Sequence, residues 1–432
     1  MKSTLRSMVL FLVFAIVPVL GWSQTEIVLW DFLSGGDGVR WHQIVDGFNA
    51  SQSAYKVNGT TLTWGDPFYA KVHVAVVAGE TPDVMTYHLS HFPAGVKSGD
   101  LRPITEAELQ TVGLSIKDFN PALTKVSLDI SKSYGKAGSL YGVPLDTHTS
   151  VLYYNKDLLK QAGLLGADGT PTGITGIANF TAALNKLKAL GVTPLTFSAS
   201  ADPATVWRLF STLYYQQGGI FAAGGKISLG QLDTYGKKAL GVIADWASKG
   251  LVPTNIAYGD SIALFSSGKA AFMFNGNWEV PTFVDLASSG KLPFQYGVAA
   301  FPKLYDTQAT WADSHNIAIP ANSKTPLSAA KLKGVLTFIK YVEQHADIWA
   351  GGGHLPAYLP VLNGPVLKKL VPINEYAAQA AKDVTLEPVN PAFGVGDPAY
   401  GFVDNFLTPT IFGQGSVNDG ISQFRDALVG AQ

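Results

Sequence analysis

The sequence predicts an α/β fold divided between two domains, and three observations carry that reading. Short apolar runs alternate with segments whose apolar residues recur at helical spacing. A chain of 432 residues exceeds what one hydrophobic core ordinarily fills. It contains no cysteine, so packing rather than a disulfide framework must carry its stability. The alternation further predicts largely parallel sheets.

The first element is not part of the fold. Lys2 and Arg6 precede an apolar run from Met8 to Leu20, and Gly21-Trp22-Ser23 follows it. A charged start, an apolar centre and small residues at the last positions predict a signal peptide over residues 1–23, cut after Ser23. The run of 13 residues is shorter than the ~20 that span a bilayer. No cysteine follows it to accept a lipid, so the expected product is a diffusing periplasmic protein.

Ile27–Trp30 then reads as a buried strand, and Trp41, Ile44, Val45 and Phe48 mark one face of a helix. Phe68, Val72, Ala75 and Val76 repeat that spacing, with Gly79 as a C-cap before a strand at Asp83–Met85. Phe180, Ala183, Leu184, Leu187 and Leu190 form a further helix closed by Gly191, ahead of a strand at Leu195–Phe197. Leu332, Val335, Leu336, Ile339 and Val342 form a late one. The segments 134–142 and 221–229 read as hairpins, and 163–173 as a surface loop.

Charge and motif chemistry narrow the function. With 31 Lys and Arg against 32 Asp and Glu, and no long run of either sign, neither nucleic acid nor an anionic membrane is the expected partner. The opening "LWDFLSGGDG" (29–38) has the look of a phosphate-binding turn, but Trp41 stands where the dinucleotide fingerprint needs its third glycine. The motifs H-E-x-x-H, G-x-S-x-G and a Walker sequence are absent, and His88 and His91 lack the further clustered ligands that a metal site needs.

More informative are the places where aromatic or imidazole rings meet short polar side chains. "TWGDPFY" holds Trp64 and Asp66, "TYHLSHF" Tyr87 and His88, and "PLDTHTS" Asp146 and His148. "FNGNWEV" holds Trp278, "WADSHN" Asp313 and His315, and "WAGGGHLP" Gly353 and His354. Most of them fall at the ends of expected strands, where open α/β sheets bind ligands. A sugar needs such a set, flat rings for its C–H faces and planar polar groups for its hydroxyls.

Five stretches in order bear a family likeness: 29–38 with the helix 39–49, "FYAKVHVAVVAGETPDV" (68–84) with "SGDLRPI", "LYGVPLDTHTSVLYYNKDLLKQAGL" (140–164), "FSSGKAAFMFNGNWEV" (265–280) and "GGGHLPAYLPV" (351–361). Over nearly the whole mature chain the sequence resembles the extracellular solute-binding proteins of sugar ABC importers, the maltose-binding-protein-like family. That resemblance implies a periplasmic-binding-protein type II fold, two α/β lobes on a multi-pass hinge. It sets the first lobe at 24–145 plus 300–349 and the second at 146–299 plus 350–432, with crossovers near 144–150, 296–302 and 348–356. By position, Asp31, Gly35 and Asp37 line the first-lobe side with Tyr87 and His88. His148 falls at the place of a ligand-binding acid, Trp278 at that of a sugar-stacking Trp, and Tyr400 at that of a C-terminal aromatic platform. The sequence departs from the pattern at His148 and at Asn277, which stands where a Pro is usual, so no particular sugar is implied.

The expected function is therefore capture of a sugar and its delivery to a membrane permease by cleft closure, by a monomer with no cofactor, no metal and no catalysis. On this reading the glycines of 35–38 let the backbone approach a neutral, hydroxyl-rich ligand, and Asp31 and Asp37 accept its hydroxyls. The alternatives are an exported glycoside hydrolase, or the same fold holding an amino acid, a polyamine or a metal.

Overall fold

The structure, a computed structural model, describes residues 24–200, 203–370 and 372–431. The signal-peptide segment 1–23 lies outside the described residues. No helix among the described residues is long and apolar enough to cross a membrane.

The chain forms two lobes, each built on one mixed sheet. The first sheet is six-stranded. Strand Thr25–Asp31 pairs in parallel with Tyr55–Thr61 and with Val84–His88, and the latter pairs antiparallel with His315–Pro320. Helix Gly35–Ser51 covers this sheet because Trp41, Ile44, Val45 and Phe48 fall on one buried stripe, as their spacing requires. Helix Asp66–Ala78 ends where Gly79 takes a left-handed φ of 76° and donates back to Ala75 and Val76.

The second sheet is seven-stranded and is organised by Asp146–Asn155, whose ten residues are all buried. Ala270–Gly276, Tyr296–Ala300, Thr310–Asp313 and Leu355–Pro356 all pair with this strand in antiparallel sense. Thr193–Thr196 and Val384–Leu386 extend the sheet with parallel pairings. The expectation of largely parallel sheets is therefore corrected. Alternating helices specify that strands are covered on both faces, but a strand buried on both faces reads the same in either direction.

Two further expectations change. Residues 134–142 are not a hairpin: Ser139–Leu140 pairs with the distant Ile104–Thr105. The stretch 221–229 is one, through Ala222–Ala223 and Lys226–Ile227. The crossover expected near 296–302 also moves, because Tyr296–Ala300 and Thr310–Asp313 both belong to the second sheet. The chain enters that sheet between Pro144 and Asp146 and returns to the first at Ser314. Its third passage lies between helix Ala346–Ala350 and strand Leu355–Pro356. These passages are stitched together: Leu145 donates to the His315 carbonyl at 2.8 Å, and Ala357 to the Leu145 carbonyl at 2.9 Å.

Candidate functional site

A cavity of about 450 Å³ lies between the lobes, within the size range of small-molecule sites. The first lobe lines it with the turn Phe32–Asp37, Trp64 and His88, and the hinge adds His148 and His315. The second lobe contributes Arg208, Tyr258, Trp278, Glu279 and Thr282.

The turn that opens the sequence does several jobs. Asp31 is fully buried below it, accepting from Leu33 N at 3.1 Å and Thr61 Oγ1 at 2.9 Å, so it fixes the turn and does not line the cavity. Gly35, at φ +59°, starts the helix in a conformation that L side chains rarely adopt. At Gly36 a Cβ would stand 2.5 Å from Cγ of Pro281, on the opposite lobe. The glycine thus admits the other lobe. Asp37, in the first helical turn, directs Oδ2 to within 3.0 Å of Nε2 of His354.

Behind the cavity, Asp146 collects the hinge. Its Oδ1 accepts from His148 Nδ1 at 3.1 Å and from His315 N at 2.9 Å. Its Oδ2 accepts from His315 Nδ1 at 2.8 Å and from Trp349 Nε1 at 2.7 Å. Burial opposes this charge, but His315, His354 and the imidazole hydrogen bonds hold the carboxyl well below its usual range. His354 Nδ1 lies 3.0 Å from the same Oδ2, off the hydrogen-bonding direction. Burial opposes the charge of His354 too, but Asp37 and Asp146 outweigh it and lift the imidazole to about 10. His148 goes the other way: burial and His315 push it down to about 3, so it is neutral. Ligand atoms of His88, His148 and Asp313 lie within 4.8 Å of one another, as do those of Asp146, His148, His315 and His354 around the Asp146 carboxylate. The four donors already fill the four lone-pair directions of the carboxylate, and a cation would have to displace them.

The second-lobe wall is aromatic. Trp278 is half-buried and donates from Nε1 to the Tyr258 hydroxyl at 2.8 Å, which in turn donates to Glu279 Oε1 at 2.6 Å. Burial raises the Glu279 carboxyl, and the Tyr258 and Thr282 hydroxyls moderate the rise. The guanidinium carbon of Arg208 stands 4.5 Å from the Trp278 ring centroid and 4.6 Å from that of Trp311.

The family described as bacterial extracellular solute-binding protein matches residues 34–347, which include strands of both sheets. This chain belongs to that family. Among curated relatives, the sn-glycerol-3-phosphate-binding periplasmic protein of Yersinia enterocolitica is 29% identical over 168 residues, 39% of this chain and 36% of that one. The arabinooligosaccharide-binding protein of Bacillus subtilis is 26% identical over 217 residues, 48% of this chain and 44% of that one. The chain thus spans less than half the length of either relative. The GacH receptor of Streptomyces glaucescens, solved unliganded and with acarbose, superposes with a TM-score of 0.77 at 20% identity, over 95% of this chain and 100% of that one. That likeness shows the type II solute-binding fold.

Of the residues expected at the site, Gly35, Asp37, Trp64, His88, His148, Trp278 and His315 reach the cavity wall. Asp146 and His354 stand behind it as supports. The others do not line it. Tyr87 is excluded by strand parity: with His88 turned to the cavity, its neighbour packs the opposite way, over Gly95. Asp66 is exposed at the start of its helix. Asp313 is buried, accepting from Ser90 N at 3.1 Å and Ser314 N at 2.8 Å. Gly353, at φ +96°, serves through its carbonyl, which accepts from Asn277 Nδ2 at 2.9 Å and from the Tyr376 hydroxyl. Tyr400 packs on Trp207 with ring centroids 6.2 Å apart and does not line the cavity.

Sequence reasoning missed Arg208 and Tyr258. A signal for the first existed: Arg208 is the one charged residue of helix Pro203–Tyr215. A lone cation in an apolar helix needs a reason.

Proposed function

We propose that the protein captures a hydroxyl-rich sugar between its lobes and delivers it to the membrane permease of an ABC importer. The observation that carries this is the shared wall: Trp64 and His88 from one lobe and Trp278 and Tyr258 from the other face a single cavity. Rings offer their faces to sugar C–H groups at about 0.5–1.5 kcal/mol each, and charged acceptors add roughly 1.5–3 per hydroxyl. Ordering of the ligand and closure of the cleft offset much of this, leaving an affinity near micromolar, about −8 kcal/mol. Because only the closed form makes both sets of contacts, ligand shifts the lobes toward closure, and a permease can then distinguish loaded from empty protein.

Support comes from the relatives, whose names specify glycerol 3-phosphate and arabinooligosaccharide, and from the acarbose complexes of the Streptomyces receptor. All three solutes are polyhydroxylated or esters of a polyol. We assign the lobes to 24–144 with 315–349 and to 146–313 with 350–431; sheet membership supports moving the boundary from near 300 to Ser314. The mature chain begins at Gln24, is exported without a lipid and acts as a monomer. It performs no chemistry on the solute: the two wall carboxylates are tied, Asp37 to His354 and Glu279 to Tyr258. A metal solute fits poorly where Asp146 is already saturated by donors.

The test is a thermal-shift screen against mono- and oligosaccharides, amino acids, polyamines and divalent metals. Sugars or their acidic and phosphorylated derivatives are expected to raise the melting temperature. Stabilisation by amino acids or metals alone would overturn the reading, as would cleaved product in the sugar wells.

A further inference from the structure

Arg208 lies on the cavity wall, only 7% exposed, with its guanidinium carbon over indole rings: the centroids of Trp278 and Trp311 lie within 4.6 Å and that of Trp64 at 5.8 Å. Among the described residues, none of its five N–H groups donates a hydrogen bond, none pairs with a carboxylate, and Nε is buried without a partner. The two carboxylates of this wall have partners within the protein, Asp37 in His354 and Glu279 in Tyr258. A guanidinium taken out of water and left unpaired is costly, and proteins leave such groups where a ligand completes them.

From this we infer that the solute carries an anionic group, a carboxylate or a phosphate ester on the sugar or polyol, which docks on the guanidinium of Arg208. The inference rests on the proposed solute-binding function and narrows its substrate class. It also departs from the neutral ligand that the sequence suggested.

The geometry fits this anion chemistry. The guanidinium carbon stands over the Trp278 and Trp311 rings, which are perpendicular to each other, and indole faces offer its N–H groups no oxygen acceptor. Two parallel N–H groups match the two oxygens of a carboxylate or phosphate. The rings hold the fork in place without neutralising it. The nearest buried acids do not compete for it. Glu387 accepts from Trp207 Nε1 at 2.6 Å and from Trp311 Nε1. Asp313 spends Oδ1 on the Ser90 and Ser314 amides and keeps a buried Oδ2 without a partner among the described residues, yet it forms no ion pair with Arg208. Burial and Asp313 lift the Glu387 carboxyl to about 8, against the indole hydrogen bonds and the charge of Arg208, so it carries little counter-charge at neutral pH. A neutral sugar would leave the cation with hydroxyl acceptors alone; an acidic one supplies charge and fork geometry together.

The experiment is calorimetric titration of the mature chain with matched pairs: galacturonate and galactose, glucuronate and glucose, digalacturonate and galactobiose, glycerol 3-phosphate and glycerol. The uronate arms report a carboxylate and the last pair a phosphate. In at least one pair the acidic member is expected to bind about tenfold tighter or better. Arg208→Gln should erase that preference, and Arg208→Lys, which keeps the charge but not the planar fork, should retain part of it. Circular dichroism melts of both variants confirm folding; should Arg208→Gln not fold, Arg208→Lys still reports the loss of the fork. Neutral members binding as tightly as their acids, or an acid preference unchanged in the variants, would overturn the inference and leave the sugar-binding function standing. Failure of every carbohydrate, neutral or acidic, would overturn both.

Discussion

Arg40 and Asp285 meet across the mouth of the cleft, Nη1 3.0 Å from Oδ2 and Nη2 2.9 Å from Oδ1. Arg40 belongs to helix Gly35–Ser51 of the first lobe and Asp285 to helix Val280–Ser288 of the second. A second contact between the lobes is buried, with His91 Nδ1 and Asp397 Oδ1 3.2 Å apart. Paired contacts of this kind are those of a closed clamp, and they locate where closure is stabilised.

The Arg40–Asp285 pair should act on closure and little on folding. Asp285 is 58% exposed, so water screens the pair and its worth is about 0.2–1 kcal/mol. Asp285→Ala is expected to leave the melting temperature of the free protein nearly unchanged and to speed ligand release up to about fivefold. Stopped-flow fluorescence measures the release; an unchanged rate would mean that the pair does not hold the clamp.

Gly36 provides a sharper case. Alanine suits the first turn of a helix and should cost the free protein nothing, or add about 0.4–1 kcal/mol. Its Cβ would meet Pro281 of the other lobe at 2.5 Å, so Gly36→Ala should prop the cleft open. Affinity should fall about tenfold or more, ~1.4 kcal/mol, with apo stability preserved. Wild-type affinity in this variant would show that the lobes do not approach there.

How much of this was legible in the sequence differs by element. The stripe Trp41–Phe48 and the cap Gly79 were readable because period and turn chemistry are local. The direction of Asp146–Asn155 was not, since ten buried positions in a row carry no period and its partners lie far along the chain. The site divides in the same way. His88 and Trp278 stood out as rings beside polar residues. Whether Tyr87 or His88 faces the cavity depends on strand parity, and the role of Arg208 depends on indoles about 70 and 100 residues away, which spacing does not reveal.

His354 gives a pH signature. Its folded value, about 10, exceeds the unfolded value of 6.5, so the folded state binds the extra proton between them. The stability it contributes is complete below 6.5 and is lost as pH rises through about 10. His354→Gln should therefore be most destabilised relative to wild type near pH 6 and least near about pH 10. Urea unfolding at several pH values checks this; a constant difference would remove His354 from between the two carboxylates.

Trp278 and Tyr400 should separate. A core Trp→Ala change costs about 3–5 kcal/mol; half-buried Trp278 should lose far less in the free protein and cost about tenfold or more in affinity. Tyr400→Phe removes a buried hydroxyl without a hydrogen-bond partner among the described residues, and should leave affinity unchanged and stability within about ±0.5 kcal/mol. Titration and unfolding of both variants decide it, and a weakened Tyr400→Phe would return that ring to the site.

The claim that the lobes close on a solute is tested most directly by small-angle X-ray scattering of the mature chain, free and saturated with the sugar or sugar acid that titration identifies. Ligand contacts drawn from both lobes predict a smaller radius of gyration in the saturated protein, and a return to the free value when the ligand is dialysed away. Identical scattering at saturation would contradict the clamp.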